Sequence, residues 1–194
     1  MPQAHNTRAS RPASRCGFWK NQKGIAAVEF ALVVPIVVTL MLGGFELARC
    51  LLLHQKIERT SYTIADIIAQ SDQVTSASLG QTLIAAPEIM DPFEFGAKGV
   101  VIITSVYRAQ GQANATVRWR YTGGGTLART SKLGNINATA ALPNGLTLNE
   151  KDNVIVAEVY YDYQTFFASD IITPGDIYKT AIFKPRLGAL ITAP

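Results

Sequence analysis

Between Ile25 and Phe45 the chain reads IAAVEFALVVPIVVTLMLGGF, 21 residues interrupted by a single charge. At about 1.5 Å of rise per residue, such a stretch crosses the roughly 30 Å hydrocarbon core of a bilayer as one α-helix. A cleaved secretory signal is the competing reading. Its apolar core is about 7–15 residues long and ends in a small-x-small site. This run instead passes through Gly43-Gly44-Phe45 into Glu46 without one, so a retained membrane helix is expected.

The flanking charge sets the expected direction. Residues 1–23 hold Arg8, Arg11, Arg15, Lys20 and Lys23 and no acid, whereas the rest of the chain has 13 basic and 14 acidic residues. A short Lys/Arg-rich flank marks the cytoplasmic side of a span, which puts the C-terminal portion outside. The net charge of +4 therefore belongs to the tail. It does not indicate a nucleic-acid surface, which needs cations clustered on the folded domain. Cys16 and Cys50 are the only cysteines and are expected on opposite sides of the bilayer, which leaves no internal disulfide and no zinc-type cluster.

Glu29 is the anomaly inside the apolar run. A carboxylate in a membrane helix is costly unless it is paired. One reading has it snorkel to the cytoplasmic headgroups, four residues inside the segment and near Lys23. The other depends on its neighbours. Lys23-Gly24-Ile25-Ala26-Ala27-Val28-Glu29-Phe30 resembles the processing site of type IV pilin-like proteins, in which a prepilin peptidase cuts after the glycine and a glutamate stands fifth in the mature chain. The resemblance implies processing at Gly24 and Ile25, with 170 residues remaining. It also implies an assembly role for Glu29, whose carboxylate would take the new N-terminal ammonium of a neighbouring subunit, since a buried charge needs such a partner.

The longer stretch from Gly24 to Pro35, continued by Gly43-Gly44-Phe45-Glu46-Leu47-Ala48-Arg49, is similar to the opening of TadE/TadG-like pilus-assembly proteins, type IV pilin-like pseudopilins of the tight-adherence secretion system. Later segments resemble the family's C-terminal sheet: Asn114–Trp119, Leu142-Pro143, Val154–Tyr163 and Tyr178–Leu187. The chain departs from the pattern at Arg120, where many members carry Ser after the tryptophan.

Past the apolar run, Glu46 to Gln70 contains neither Gly nor Pro. Leu47, Cys50, Leu51, His54, Ile57, Ser61, Ile64, Ala65 and Ile68 recur at helical spacing. The spacing predicts one helix from Ile25 to Gln70, about 69 Å long if straight, with a kink at Pro35 and His54 as a packing residue. A short helix is expected around Leu79–Ala86, with Thr75, Ser76 and Ser78 as N-cap candidates and Pro87 or Pro92 as its limit.

From Gly99 the chain turns to Val, Ile, Thr, Tyr and Trp. Strands are expected at Val100–Ala109, Ala113–Thr122, Asn153–Gln164 and Ile177–Lys184. Gly123-Gly124-Gly125 and Gly134–Leu148 read as connections. Alternation puts Val117, Trp119 and Tyr121 toward the core or the long helix. It puts Arg118 and Arg120 on one sheet face with Glu158 and Asp162, as cross-strand charge pairs if the strands are neighbours.

No constellation for chemistry emerges. Glu158/Asp162 reads as part of that charge pairing and Asp170/Asp176 as turn chemistry beside Pro174-Gly175. No Gly-x-Ser-x-Gly elbow is present, and both histidines, His5 and His54, precede the exported domain of residues 71–194. No Gly-Lys-Ser/Thr follows the triple glycine. Neither an enzyme nor a cofactor or metal is expected.

The reading is an α+β chain. Residues 1–24 form a basic cytoplasmic leader or tail, 25–45 a transmembrane helix, 46–70 its continuation, and 71–194 an exported α+β domain with a small antiparallel sheet. The resemblance implies a structural or assembly component, a minor pseudopilin, in the bacterial inner membrane with a periplasmic domain. Its implied partners are membrane lipid, other pilin-like subunits, pilus-assembly proteins and a prepilin peptidase. The alternative is a membrane-anchored adhesion or ligand-binding domain outside any pilus; an anchored hydrolase would need a histidine-free mechanism.

Overall fold

A computed structural model describes residues 24–167, 174–192 and 194. Helix α1 (Ile25–Ala69) is followed by α2 (Ser76–Met90) and four strands, β1 (Gly99–Tyr107), β2 (Thr116–Gly123), β3 (Asn153–Tyr163) and β4 (Gly175–Phe183). The strands make one antiparallel sheet in the order β2-β1-β3-β4. The expected α+β class, with a long apolar helix, a second helix and a small antiparallel sheet, is what forms. The chain divides into two units, up to Met41 and from Leu42 onward.

In the first unit the helical residues stand open. Phe30, Leu32, Leu40 and Met41 are each about 70% exposed. The most apolar stretch of α1 has a mean hydropathy of 2.5 and buries none of its residues. Pro35 lies inside α1. The hydroxyl of Thr39 donates to the Pro35 carbonyl at 2.8 Å, so this polar side chain is satisfied within its own helix.

In the second unit α1 buries Glu46, Leu53, Ile57, Thr60, Ser61, Ile64, Ala65, Ile68 and Ala69. This is the expected stripe from Ile57 onward. Before Ile57 it corrects the reading, because Leu47 and Leu51 are exposed and Leu53 is buried. Counting back from Ile57 in steps of three and four gives Leu53, Cys50 and Glu46, and the apolar crowding of adjacent faces hid that line. His54 is half-buried and donates from Nδ1 to the Cys50 carbonyl at 2.9 Å.

Helix α2 starts where the cap chemistry indicates. Thr75 accepts from the Ser78 N–H while Ser78 Oγ accepts from the Thr75 N–H, a reciprocal capping box. Leu79, Leu83, Ala86 and Met90 face inward at helical spacing. Of the two prolines expected to limit it, the helix runs past Pro87 and ends at Met90, just before Asp91-Pro92. Proline's fixed φ is itself helical, and the last turn is held by burial of Ala86 and Met90.

One sheet face meets both helices. Val101, Ile103, Trp119, Ile155, Ala157, Val159, Tyr161 and Tyr163 share a core with Ile57, Ile64, Leu79 and Leu83. The other face is also covered. Val106, Val117, Val154 and Val156 bury against Leu133 and Leu148, and Val100, Ile102 and Tyr160 against Leu127. The long β2–β3 connection therefore serves as a lid on the sheet. It is pinned by backbone bonds from Val117 to Ala138 and from Asn137 to Val117. The triple glycine begins this connection because the backbones meet closely there. A Cβ on Gly125 would lie 2.1 Å from the Gly99 carbonyl, and Gly124 has φ +76°.

The charge-pair expectation is corrected here. β1 lies between β2 and β3, so those strands are not neighbours. Arg120 bonds to Thr104 and the Gly134 carbonyl instead. A bulge at Ser105/Val106 pairs Val117 with Val106 and Trp119 with Ser105. Val117 thereby joins the lid side, while Trp119 buries on the helix side and Arg118 stays exposed.

Candidate membrane-anchor and exit-turn site

The residues singled out for processing and assembly lie at the start of α1. Gly24 precedes the helix and Ile25 opens it. Among the described residues, a Cβ on Gly24 would meet nothing within 4 Å. Glu29 is exposed on the second turn, and among the described residues it has no ion pair. The basic tail and Asp170 lie outside the described residues.

A second constellation, which sequence reasoning missed, forms where α1 leaves the apolar stretch. Glu46 follows Phe45 directly and is fully buried. Tyr163, at the end of β3, donates its hydroxyl to Glu46 Oε1. The backbone N–H of Phe166 donates to Oε2 at 3.2 Å. Arg49, one turn along, approaches Oε1 at 3.4 Å and donates to the Gln164 carbonyl at 3.1 Å. Its guanidinium also lies 4.0 Å from the centre of the Phe166 ring and 5.5 Å from that of Tyr163. Burial raises the Tyr163 hydroxyl above its ordinary value, and the Glu46 carboxylate it bonds raises it further. Tyr163 therefore stays a donor at any physiological pH. Glu46 and Arg49 at i, i+3 directly after an apolar run are the one signal that pointed here. Their partners come from the far end of the chain and could not be read locally.

Beside this cluster a cavity of about 600 Å³ opens among Phe45, Leu52, Phe93, Tyr161 and Phe166, with Arg49, Glu94 and Lys98 among its lining residues. The acids considered for chemistry are placed elsewhere. Glu158 is fully buried and accepts from Ser131 Oγ, from the Lys132 N–H at 2.9 Å and from the Tyr178 hydroxyl at 3.0 Å. Asp176 is gripped by Arg129 through two bonds of 2.6 Å. Among the described residues, no three or more His, Cys, Asp and Glu side chains come together as a metal site.

Residues 24–66 match the model of the TadE-like protein family. The match starts at Gly24 and ends within α1, so the resemblance read from this part of the chain is met, and the strands rest on their own residues. It points to a membrane-anchored, pilus-related protein, in keeping with a helix long and apolar enough to cross a bilayer. No curated protein matches the chain. No solved structure matches it either.

Proposed function

We propose that this chain is a minor pseudopilin, a structural or assembly component of a tight-adherence type pilus or secretion machine. The observation that carries the reading is the coincidence at Gly24. There the family match begins, the apolar helix opens at the next residue, and the basic flank ends at Lys23. A peptidase that cuts after the glycine accounts for the three together. In this reading residues 1–24 are the leader, 25–45 span the bacterial inner membrane, 46–70 continue the helix, and 71–194 form the periplasmic domain. Pilin-like subunits and pilus-assembly proteins are the partners. Glu29 is the assembly residue, neutralised in lipid by the Ile25 ammonium of a neighbouring subunit.

Mass spectrometry of the mature protein, from cells with an active prepilin peptidase, is expected to find a chain starting at Ile25. A chain still starting at residue 1 or 2 would falsify the processing step. Glu29→Gln is expected to insert at wild-type levels but to retain roughly tenfold less partner on co-purification, equivalent to about 1.4 kcal/mol. Equal recovery of partners with wild type and Glu29→Gln removes the assembly role.

A further inference from the structure

We infer that the aromatic pair Phe166-Phe167 is a second membrane contact, seated in the lipid interface beside the point where α1 leaves the bilayer. The inference rests on the proposed span of residues 25–45. Phe166 and Phe167 are 66% and 61% exposed, with ring centres 6.2 Å apart. With the exposed Phe45 and Leu52, which line the same cavity as Phe166, they form an apolar patch of the kind that marks a contact surface. Their position is set by the exit turn. The Phe166 N–H is bonded to Glu46, the first residue after the span, and the Arg49 guanidinium stacks on the Phe166 ring. The pair is thus tied to the helical turn that stands at the headgroup level if Phe45 is the last residue in hydrocarbon.

The same level carries more exposed apolar surface, since Phe45, Leu47, Leu51 and Leu52 are 42–56% exposed. The buried side of the loop is polar, and the cations Arg49 and Lys98 line the adjoining cavity against one acid, Glu94. Aromatic rings outermost, with cations beside them, match a bilayer interface, where rings sit at headgroup depth and cations meet phosphate. The occupant of this surface is therefore lipid. The buried Glu46 holds the loop at this level by accepting the Phe166 N–H.

The test uses the full chain with Cys16→Ser and Cys50→Ser, reconstituted in phosphatidylethanolamine and phosphatidylglycerol vesicles. Some vesicles carry lipids brominated near the headgroup end of their acyl chains, and others lipids brominated toward the chain ends, level with Ile36 in mid-span. An environment-sensitive fluorophore is placed at Phe167→Cys, at Ile36→Cys within the span, and at Ile136→Cys on the lid over the other sheet face. The label at 167 is expected to lose about half its emission in brominated vesicles, because a site about 5–10 Å into the boundary is within reach of the bromines. The label at 136 is expected to lose none. Quenching at 36 but not at 167 overturns the aromatic contact and leaves the span intact. No quenching at 36 overturns both. A label at 167 shielded from aqueous iodide yet untouched by bromine means that protein covers the pair, which also overturns lipid as the occupant. Phe167→Trp in the unmodified chain, read against the parent's own tryptophan emission, gives the same comparison without the cysteine changes.

Discussion

Glu46 has no exposed surface, and a carboxylate out of water must be met by donors and a countercharge. Tyr163, the Phe166 N–H and Arg49 do so. Removing the acceptor leaves these groups unpaired, which costs more than the pair contributes when intact. Glu46→Ala is therefore expected to destabilise the solubilised chain by roughly 3 kcal/mol, the lower end for a buried pair because Arg49 keeps partial contact with water. Tyr163→Phe removes one bond to a charged group and is expected to cost about 1.5–3 kcal/mol. Urea unfolding followed by circular dichroism reads both. A loss below about 1 kcal/mol for Glu46→Ala would show that the cluster is dispensable. Sequence gave notice of Glu46 and Arg49 only as an acid and a base at the end of an apolar run. Tyr163 lies 117 residues away and was visible only as one more strand aromatic.

Among the strands, β2 shows how far alternation can be trusted. Its pattern of Trp119 and Tyr121 against Arg120 is legible in the residues and holds in the structure. Val117 breaks step because a bulge opposite Ser105/Val106 shifts the pairing, and a bulge resides in the partnership of two strands. Trp119 fills the space under the helices, and its indole N–H donates to the Leu190 carbonyl at 2.8 Å. Trp119→Ala is expected to cost roughly 3–5 kcal/mol as a large-to-small core change. Arg118→Ala, on the exposed bulge residue, should stay within about 0.5 kcal/mol. Equal melting temperatures for the two variants would refute this placement. The missed lid over the far sheet face has a related cause. Val100–Ile103 and Val154–Ala157 are apolar at every position, as strands covered on both faces are, but a Gly-, Asn- and Ala-rich connection does not announce that it will cover them.

For the domain from Leu42 onward, the closing contacts come from its last residues. The Arg186 N–H caps the Ala69 carbonyl at the end of α1 at 2.9 Å, and Leu190 inserts between Ser105, Trp119 and Asn153. The edge strand β4 is tied at both ends, by Asp176 to Arg129 and by Lys184 to Asp152. The Lys184 ammonium holds the Asp152 carboxyl below its ordinary value of 3.8, and the Arg129 guanidinium does the same for Asp176. A carboxyl depressed in the folded state adds stability above its unfolded value and loses it as pH falls through the folded one. The urea midpoint is therefore expected to be insensitive to these groups from pH 7 down to about 4 and to fall below that. An Asp152→Asn/Asp176→Asn chain should start lower and fall less steeply. If its decline parallels wild type, these pairs do not carry the acid sensitivity.

The long apolar helix, the cap of α2 and the identity of all four strands were written in local order. Run length, flanking charge, cap residues and side-chain periodicity are short-range properties and need no partner to be read. Strand neighbours, the bulge, the lid and the donors around Glu46 and Glu158 were decided only when distant segments met. Antiparallel register and the pairing of a buried charge depend on which residue lies across a gap of a few ångströms, and a linear order of residues does not encode that distance.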